Sequence, residues 1–260
     1  MKGGARSIWS GAISFGLVNI PVKLQSAVQD ENIDFDMLSK DDMAPIKYAK
    51  IDSKTGEEIA YKDIVKGYQY AKGKYVIVTD EDFAKARPEI TKTIDIIQFV
   101  KEDEIDPIYY EKPYYIVPGK GAEKSYKLLM KALDETKTVG IAEFMLRNRA
   151  HICILKNHDG VLLLNQLRYH EEVRELPEVK TTERITPKEI QLATKLINQL
   201  TETFNPAAFK DTYITELKKV IKAKAAGKDI QIAEPRKTSA TVKDLMEVLK
   251  QSLENKKKRA

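Results

Sequence analysis

Residues 6–24 read Arg6-Ser7-Ile8-Trp9-Ser10-Gly11-Ala12-Ile13-Ser14-Phe15-Gly16-Leu17-Val18-Asn19-Ile20-Pro21-Val22-Lys23-Leu24. Ile8, Ser10, Ala12 and Ser14 alternate with Trp9, Gly11, Ile13 and Phe15. A two-residue period puts successive side chains on opposite faces, which suits a strand and not a helix. The stretch predicts one strand, or two meeting at Gly16, closing at Pro21 where the ladder loses a donor.

The same period recurs along the chain. Ile33–Leu38 alternates, and Ile46–Tyr61 has the form of a hairpin turning at Ser53-Lys54-Thr55-Gly56. Tyr68–Val78 is a second hairpin turning at Lys72-Gly73. Asp80 is placed to cap a short helix that Pro88 ends. Thr93–Val100, Val139–Arg147, His151–Lys156 and Val161–Tyr169 read as further strands, the last two joined at Asn157-His158-Asp159-Gly160. Residues 121–136 form a helix with Tyr126, Leu129, Met130 and Leu133 on one face. After Pro177 the pattern turns helical. Thr186-Pro187-Lys188-Glu189 is a capping box with proline at the first helical position, and Ile190, Ala193, Leu196, Ile197 and Leu200 make its expected buried stripe. A second helix covers 210–224. Phe204, Phe209, Tyr213, Leu217 and Ile221 widen these apolar faces, which suit either the monomer's core or packing across a two-fold axis. Strands followed by helices define an α+β, mainly β chain.

Residues 226–240 carry little periodicity and read as a linker. Thr241 then caps an amphipathic helix over 241–254. Val242, Leu245, Met246, Leu249 and Leu253 fall on one face of it. About four turns are marginal alone in water, so the stripe needs a partner: its own body, or a groove on another protein. Lys256-Lys257-Lys258-Arg259 lies in the basic tail, 255–260.

The net charge of +5 is modest, but its distribution is uneven. Residues 218–260 hold thirteen Lys/Arg against five Asp/Glu, while 1–217 hold 31 against 34. A basic end on a near-neutral body suggests an electrostatic tail. Within 46–75, Lys47, Lys50, Lys54, Lys62, Lys66, Lys72 and Lys74 stand against four acids. Cations on strands and tight turns suit sequence-independent phosphate binding, in which counterion release supplies the affinity. Arg6, Lys23, Arg147, Arg149 and Arg168 flank strands and form a second tier, each equally suited to a surface ion pair.

Enzyme chemistry finds little support. Cys153, the single cysteine, sits in Ile152-Cys153-Ile154-Leu155 as a packed thiol without a histidine partner. His151, His158 and His170 lack metal-ligand spacing. Gly119-Lys120-Gly121-Ala122-Glu123-Lys124-Ser125 resembles a phosphate loop, but no glycine precedes Lys124-Ser125. Asp34 and Asp36 share a strand face with no third ligand near. One cysteine points to a reducing interior, and neither a membrane span nor a signal-peptide pattern is evident. A soluble, cytoplasmic protein is expected.

The opening stretch, Tyr61-Lys62-Asp63-Ile64-Val65-Lys66-Gly67-Tyr68, Tyr75-Val76-Ile77-Val78-Thr79-Asp80-Glu81-Asp82, Pro113-Tyr114-Tyr115-Ile116-Val117-Pro118, Lys120-Gly121-Ala122-Glu123-Lys124-Ser125-Tyr126, and Leu167-Arg168-Tyr169 with Glu172-Val173-Arg174 together resemble the bacterial Ku family, from about Arg6 to Leu253. The resemblance implies a Ku-type β-barrel core with a C-terminal helical arm, closing as a homodimeric ring. It implies a core over 1–225 in which the two later helices share the dimer interface, and a bridge over DNA formed by 46–75. It further implies end binding of double-stranded DNA without sequence preference, recruitment of an ATP-dependent DNA ligase by 241–254 in non-homologous end joining, nucleoid association and no catalytic residues. Some relatives carry cysteines near 50–58. Lys50-Ile51-Asp52-Ser53-Lys54-Thr55-Gly56 has none, so no metal and no cofactor are expected. The rival reading is a general nucleic-acid-binding or architectural protein without end specificity.

Overall fold

The computed structural model describes residues 6–29, 32–86, 92–147, 149–181 and 184–228. In chain order these form β1 (Ser7–Phe15), β2 (Val18–Ser26), β3 (Lys66–Ala71), β4 (Lys74–Val78), α1 (Asp80–Lys85), β5 (Thr93–Val100), β6 (Tyr110–Pro118), α2 (Glu123–Thr136), β7 (Val139–Leu146), β8 (Arg149–His158), β9 (Val161–Leu167), α3 (Pro187–Leu200) and α4 (Thr212–Ala225). The helix and tail over 241–260, the linker from 229 onward and Pro88 lie outside the described residues. The chain divides into two units, residues 1–30 with 34–175, and residues 31–33 with 176–260.

In the first unit seven strands close a barrel in the order β1-β2-β6-β9-β8-β7-β5. All neighbours are antiparallel except β1 and β5, whose parallel pairing completes the ring. Closure leaves none of the seven as an edge strand. β1 and β2 are two strands, turning at Gly16 with φ of 58°. β2 does not close at Pro21. It runs on to Ser26, because Pro21 sits where its missing N–H has no acceptor to lose: the β6 ladder begins only at Val22. The Pro21 carbonyl meanwhile accepts from the Gly119 amide at 2.8 Å.

Ile20, Val22 and Leu24 alternate into the barrel with Ile13, Ile94, Ile116, Phe144, Cys153, Leu155, Leu162 and Leu164. α2 closes one end of the barrel with Tyr126, Leu129 and Leu133. The Tyr126 hydroxyl donates to the Ile116 carbonyl and accepts from the Leu162 amide, both at 2.7 Å. Val139, Ile141, Ile154 and Leu167 pack on the outside, against Ile105 and Tyr109 of the segment after β5 and Tyr110 at the start of β6. β7 is thus covered on both faces, which is why it reads as a nearly continuous apolar run.

β6 escapes the alternation reading because Pro113 and Pro118 bracket its apolar residues. Pro113 lies at a register irregularity, where a lost donor costs least. Other expectations are also corrected. Ile33–Leu38 forms no strand, only a bridge between Leu38 and Pro45. Ile46–Tyr61 keeps its turn but not its strands, with one bridge from Ile51 to Glu58. The cap of α1 is Thr79, in a reciprocal box with Asp82, and Asp80 is the first helical residue.

In the second unit, Thr186 and Glu189 form the expected capping box. Neither α3 nor α4 buries any residue. The stripe of α3 is therefore not core: Ile190, Ile197 and Leu200 stay exposed, as do Phe204 and Phe209, which stack on each other at 5.8 Å.

Candidate nucleic-acid interface

Between β2 and β5 the chain leaves the barrel for an arm, and no described residue from 32 to 86 is buried. Two turns, the β3–β4 ribbon and α1 succeed one another without a core. Gly56 and Gly73 supply the positive φ angles, 76° and 75°, that the two tightest turns require.

All seven arm lysines are exposed. Lys54 lies in the turn held by Asp52, Lys62 in a short 3-10 turn, and Lys72 in the turn between β3 and β4. Lys66 lies opposite Val78, and Lys74 opposite Ala71 beyond a register shift. Three of the arm's acids bond backbone amides and not these cations. Asp42 and Asp82 accept hydrogen bonds from Ala44 and Thr79 amides. Those to Ser39 and Thr79 side chains (largest for Asp42) or the Thr79 backbone (largest for Asp82) hold both carboxyls below the usual range. Asp52 accepts from the Lys54 and Thr55 amides. Among the described residues only Lys66 of the seven has an ion pair, with Asp80 at 3.5 Å, and that pair is solvent-exposed and worth little. Lys50 and Lys66 also stand over the rings of Tyr61 and Phe83, at 4.5 and 4.7 Å.

The arm is also rich in uncovered apolar surface. Tyr68 and Val76 share one face of the ribbon, while Tyr75 and Ile77 share the other, and all four are exposed. A two-stranded ribbon apolar on both faces is marginal alone.

The second tier of cations is dispersed. Arg6 precedes β1, exposed. Lys23 points out of the barrel between the inward Val22 and Leu24. Arg147 and Arg149 lie at the β7–β8 turn, and Arg149 pairs with Glu172 at 2.7 Å. Arg168 is bound to its own fold: its guanidinium donates to the carbonyls of Ile108 and Tyr110. Sequence reasoning had no signal for that role, since the loop carrying those carbonyls lies about 60 residues earlier. Val242, Leu245, Met246, Leu249 and Leu253, and Lys256, Lys257, Lys258 and Arg259, fall outside the described residues.

Cys153 is fully buried, and burial pushes its thiol well above the ordinary range, away from the reactive thiolate. Among the described residues no three His, Cys, Asp or Glu side chains cluster as metal ligands.

A closed seven-stranded barrel that extends an uncovered, lysine-bearing arm between β2 and β5 defines the class, a barrel-and-arm protein. The model of the Ku70/Ku80 beta-barrel domain matches residues 14–192. The chain is 42% identical over 252 residues to the Non-homologous end joining protein Ku of Archaeoglobus fulgidus, covering 96% of this chain and 98% of that one. It is 40% identical over 249 residues to the protein of that name from Koribacter versatilis, covering 96% and 86%, and 38% over 256 residues to that of Bacillus subtilis, covering 95% and 81%. The chain belongs to the Ku family.

Proposed function

We propose that this protein binds the ends of double-stranded DNA without sequence preference, as a homodimeric ring threaded onto the duplex, in non-homologous end joining. The observation that carries this reading is the arm: an extended segment without a core, whose seven lysines are all exposed and of which, among the described residues, only Lys66 has an ion pair. Lys47, Lys50, Lys54, Lys62, Lys66, Lys72 and Lys74 supply phosphate contacts, supplemented by Arg6 and Lys23 and by the tail Lys256, Lys257, Lys258 and Arg259. Arg147, Arg149 and Arg168 are weaker contributors, given their positions. The ring is supported by the exposed Tyr68, Tyr75, Val76 and Ile77, and by the exposed faces of α3 and α4. Apolar surface of this kind marks an association site, and a second copy across a two-fold axis covers it most simply.

The protein acts without catalysis and serves as a platform. Val242, Leu245, Met246, Leu249 and Leu253 present a stripe suited to a groove on the end-joining ATP-dependent DNA ligase. Replacing Leu245 and Leu249 with Asp is expected to abolish ligase stimulation and leave end binding intact. Loss of both would mean a structural helix. Such work places the protein at the nucleoid in the cytoplasm; no described helix is long and apolar enough to cross a membrane.

The deciding experiment is gel-shift competition between linear and closed-circular forms of one plasmid, at several salt concentrations. A threaded ring is competed by the linear form and spared by the circle. Equal competition by both would replace this reading with that of a general nucleic-acid binder.

A further inference from the structure

We infer that the open mouth of the barrel is a binding site for a small phosphate-bearing anion. The two barrel ends differ in kind. At one end, where Ile116 lies opposite Leu162, α2 plugs the interior. The other end, where Tyr110 lies opposite Leu167 and Leu146 opposite Arg149, holds a cleft of about 430 Å³. At that level two inward rows turn polar together. His151 precedes Cys153 and Leu155, and Gln166 follows Leu162 and Leu164; both line the cleft, with the exposed Lys112 at the register irregularity of β6 beside them. Gln166 is the one buried polar side chain among the described residues, 7% exposed. A barrel needing only a core would continue these rows with apolar residues and fill the space.

The charges in the cleft are arranged for an anion. Both acids already hold donors: Glu111 accepts from the Gln166 amide at 2.7 Å, and Glu172 accepts from Arg149 at 2.7 Å. Lys112 and Arg147 line the same cleft with no ion pair or side-chain hydrogen bond among the described residues. Arg147 occupies a turn position at φ of 51°, where glycine or asparagine is usual. Arg147 is exposed at this turn, on the rim of the opening, where it lines the cleft. Two uncommitted cations, with Arg149 beside them, match the several oxygens of a phosphate group. The cleft has the size of a small-molecule site. It admits one small molecule or the terminal group of a strand, but not a duplex.

The test is calorimetric titration of the full chain with inorganic phosphate and with a 5′-deoxynucleoside monophosphate. One saturable site per chain is expected. Arg147→Asn suits the turn's backbone and removes the charge, so it should weaken binding about tenfold or more while the thermal midpoint holds or rises. Glu172→Gln, which frees Arg149, should tighten binding. Competition by duplex with 5′-phosphate against the same duplex with 5′-hydroxyl separates the sources: selective competition by the phosphorylated ends assigns a strand terminus, and its absence assigns a free phosphate or nucleotide. Failure of wild type to saturate, or unchanged affinity in a folded Arg147→Asn variant, would overturn the inference. Binding of linear over circular DNA is read separately and does not depend on this result.

Discussion

Trp9 folds back over Gly11: a Cβ on residue 11 would lie 2.3 Å from the indole and 2.1 Å from the Lys92 carbonyl oxygen. That carbonyl accepts from the Ala12 amide at 3.0 Å, beside the parallel pairing of β1 and β5 that closes the barrel. The indole meanwhile meets the Phe144 ring edge-on, with centroids 6.5 Å apart. Gly11 thus lets a large aromatic and a neighbouring backbone share one place. Gly11→Ala is expected to cost about 3 kcal/mol or more, because one obstacle is backbone and cannot rotate away. A fall of roughly 6–12 °C in thermal midpoint corresponds to that loss. An unchanged midpoint would mean the closure is not as tight as described.

How far the sequence discloses this architecture depends on how local each determinant is. β1, β2, β5, β8 and β9 are legible as runs of β-branched and apolar residues and β7 as a near-continuous apolar run, and Gly16 and Gly160 mark two of the turns between them. β6 is not, since Pro113 and Pro118 are tolerated only for reasons of register that lie in β2 and β9. The apolar stripe of α3 is equally visible, yet periodicity names a face without saying what covers it, and in one copy nothing described does. The arm lysines can be found by counting. That Asp42, Asp52 and Asp82 serve backbone amides needs the folded turns. The role of Arg168 and the cleft at the barrel mouth both rest on residues far apart in the chain.

The Tyr126 hydroxyl sits between β6 and β9 at the plugged end, where Ile116 lies opposite Leu162, and takes up the Ile116 carbonyl and the Leu162 amide. Tyr126→Phe keeps the ring and strands a buried carbonyl and amide. A loss of about 1–3 kcal/mol is expected in denaturant unfolding, with the midpoint shifted and the slope unchanged. End binding at temperatures well below the transition should be preserved. If stability were unaltered, water would have to satisfy both groups.

His151 gives the barrel mouth a pH dependence of definite sign. Burial disfavours its charged form and the Arg149 guanidinium adds repulsion, so its pKa lies below the ordinary 6.5. The unfolded chain then binds a proton that the folded chain refuses, and stability falls as pH drops below about 6.5. The decline from this group ends once pH passes below the folded value. Its contribution is fully present above about pH 6.5. Imidazole proton shifts followed by NMR should give a midpoint for His151 below the histidine reference. His151→Gln should flatten the change in thermal midpoint between about pH 7.5 and about pH 5.5. A midpoint at or above the reference value would contradict the geometry.

The arm's electrostatics can be measured through salt. If Lys72 and Lys74 touch phosphate, Gln at both positions removes up to four contacts from a ring of two copies. Each contact contributes about 0.9 to the slope of log affinity against log salt, so the slope should shrink by up to about 3.6. The loss should be similar for duplexes of unrelated sequence, because phosphate contacts carry no base information. Lys156→Gln is the matched control, since Lys156 is committed to Glu102. A double variant with the wild-type slope would show that these two cations face solvent, and the search for the phosphate contacts would then move to Lys47, Lys50, Lys54 and Lys62.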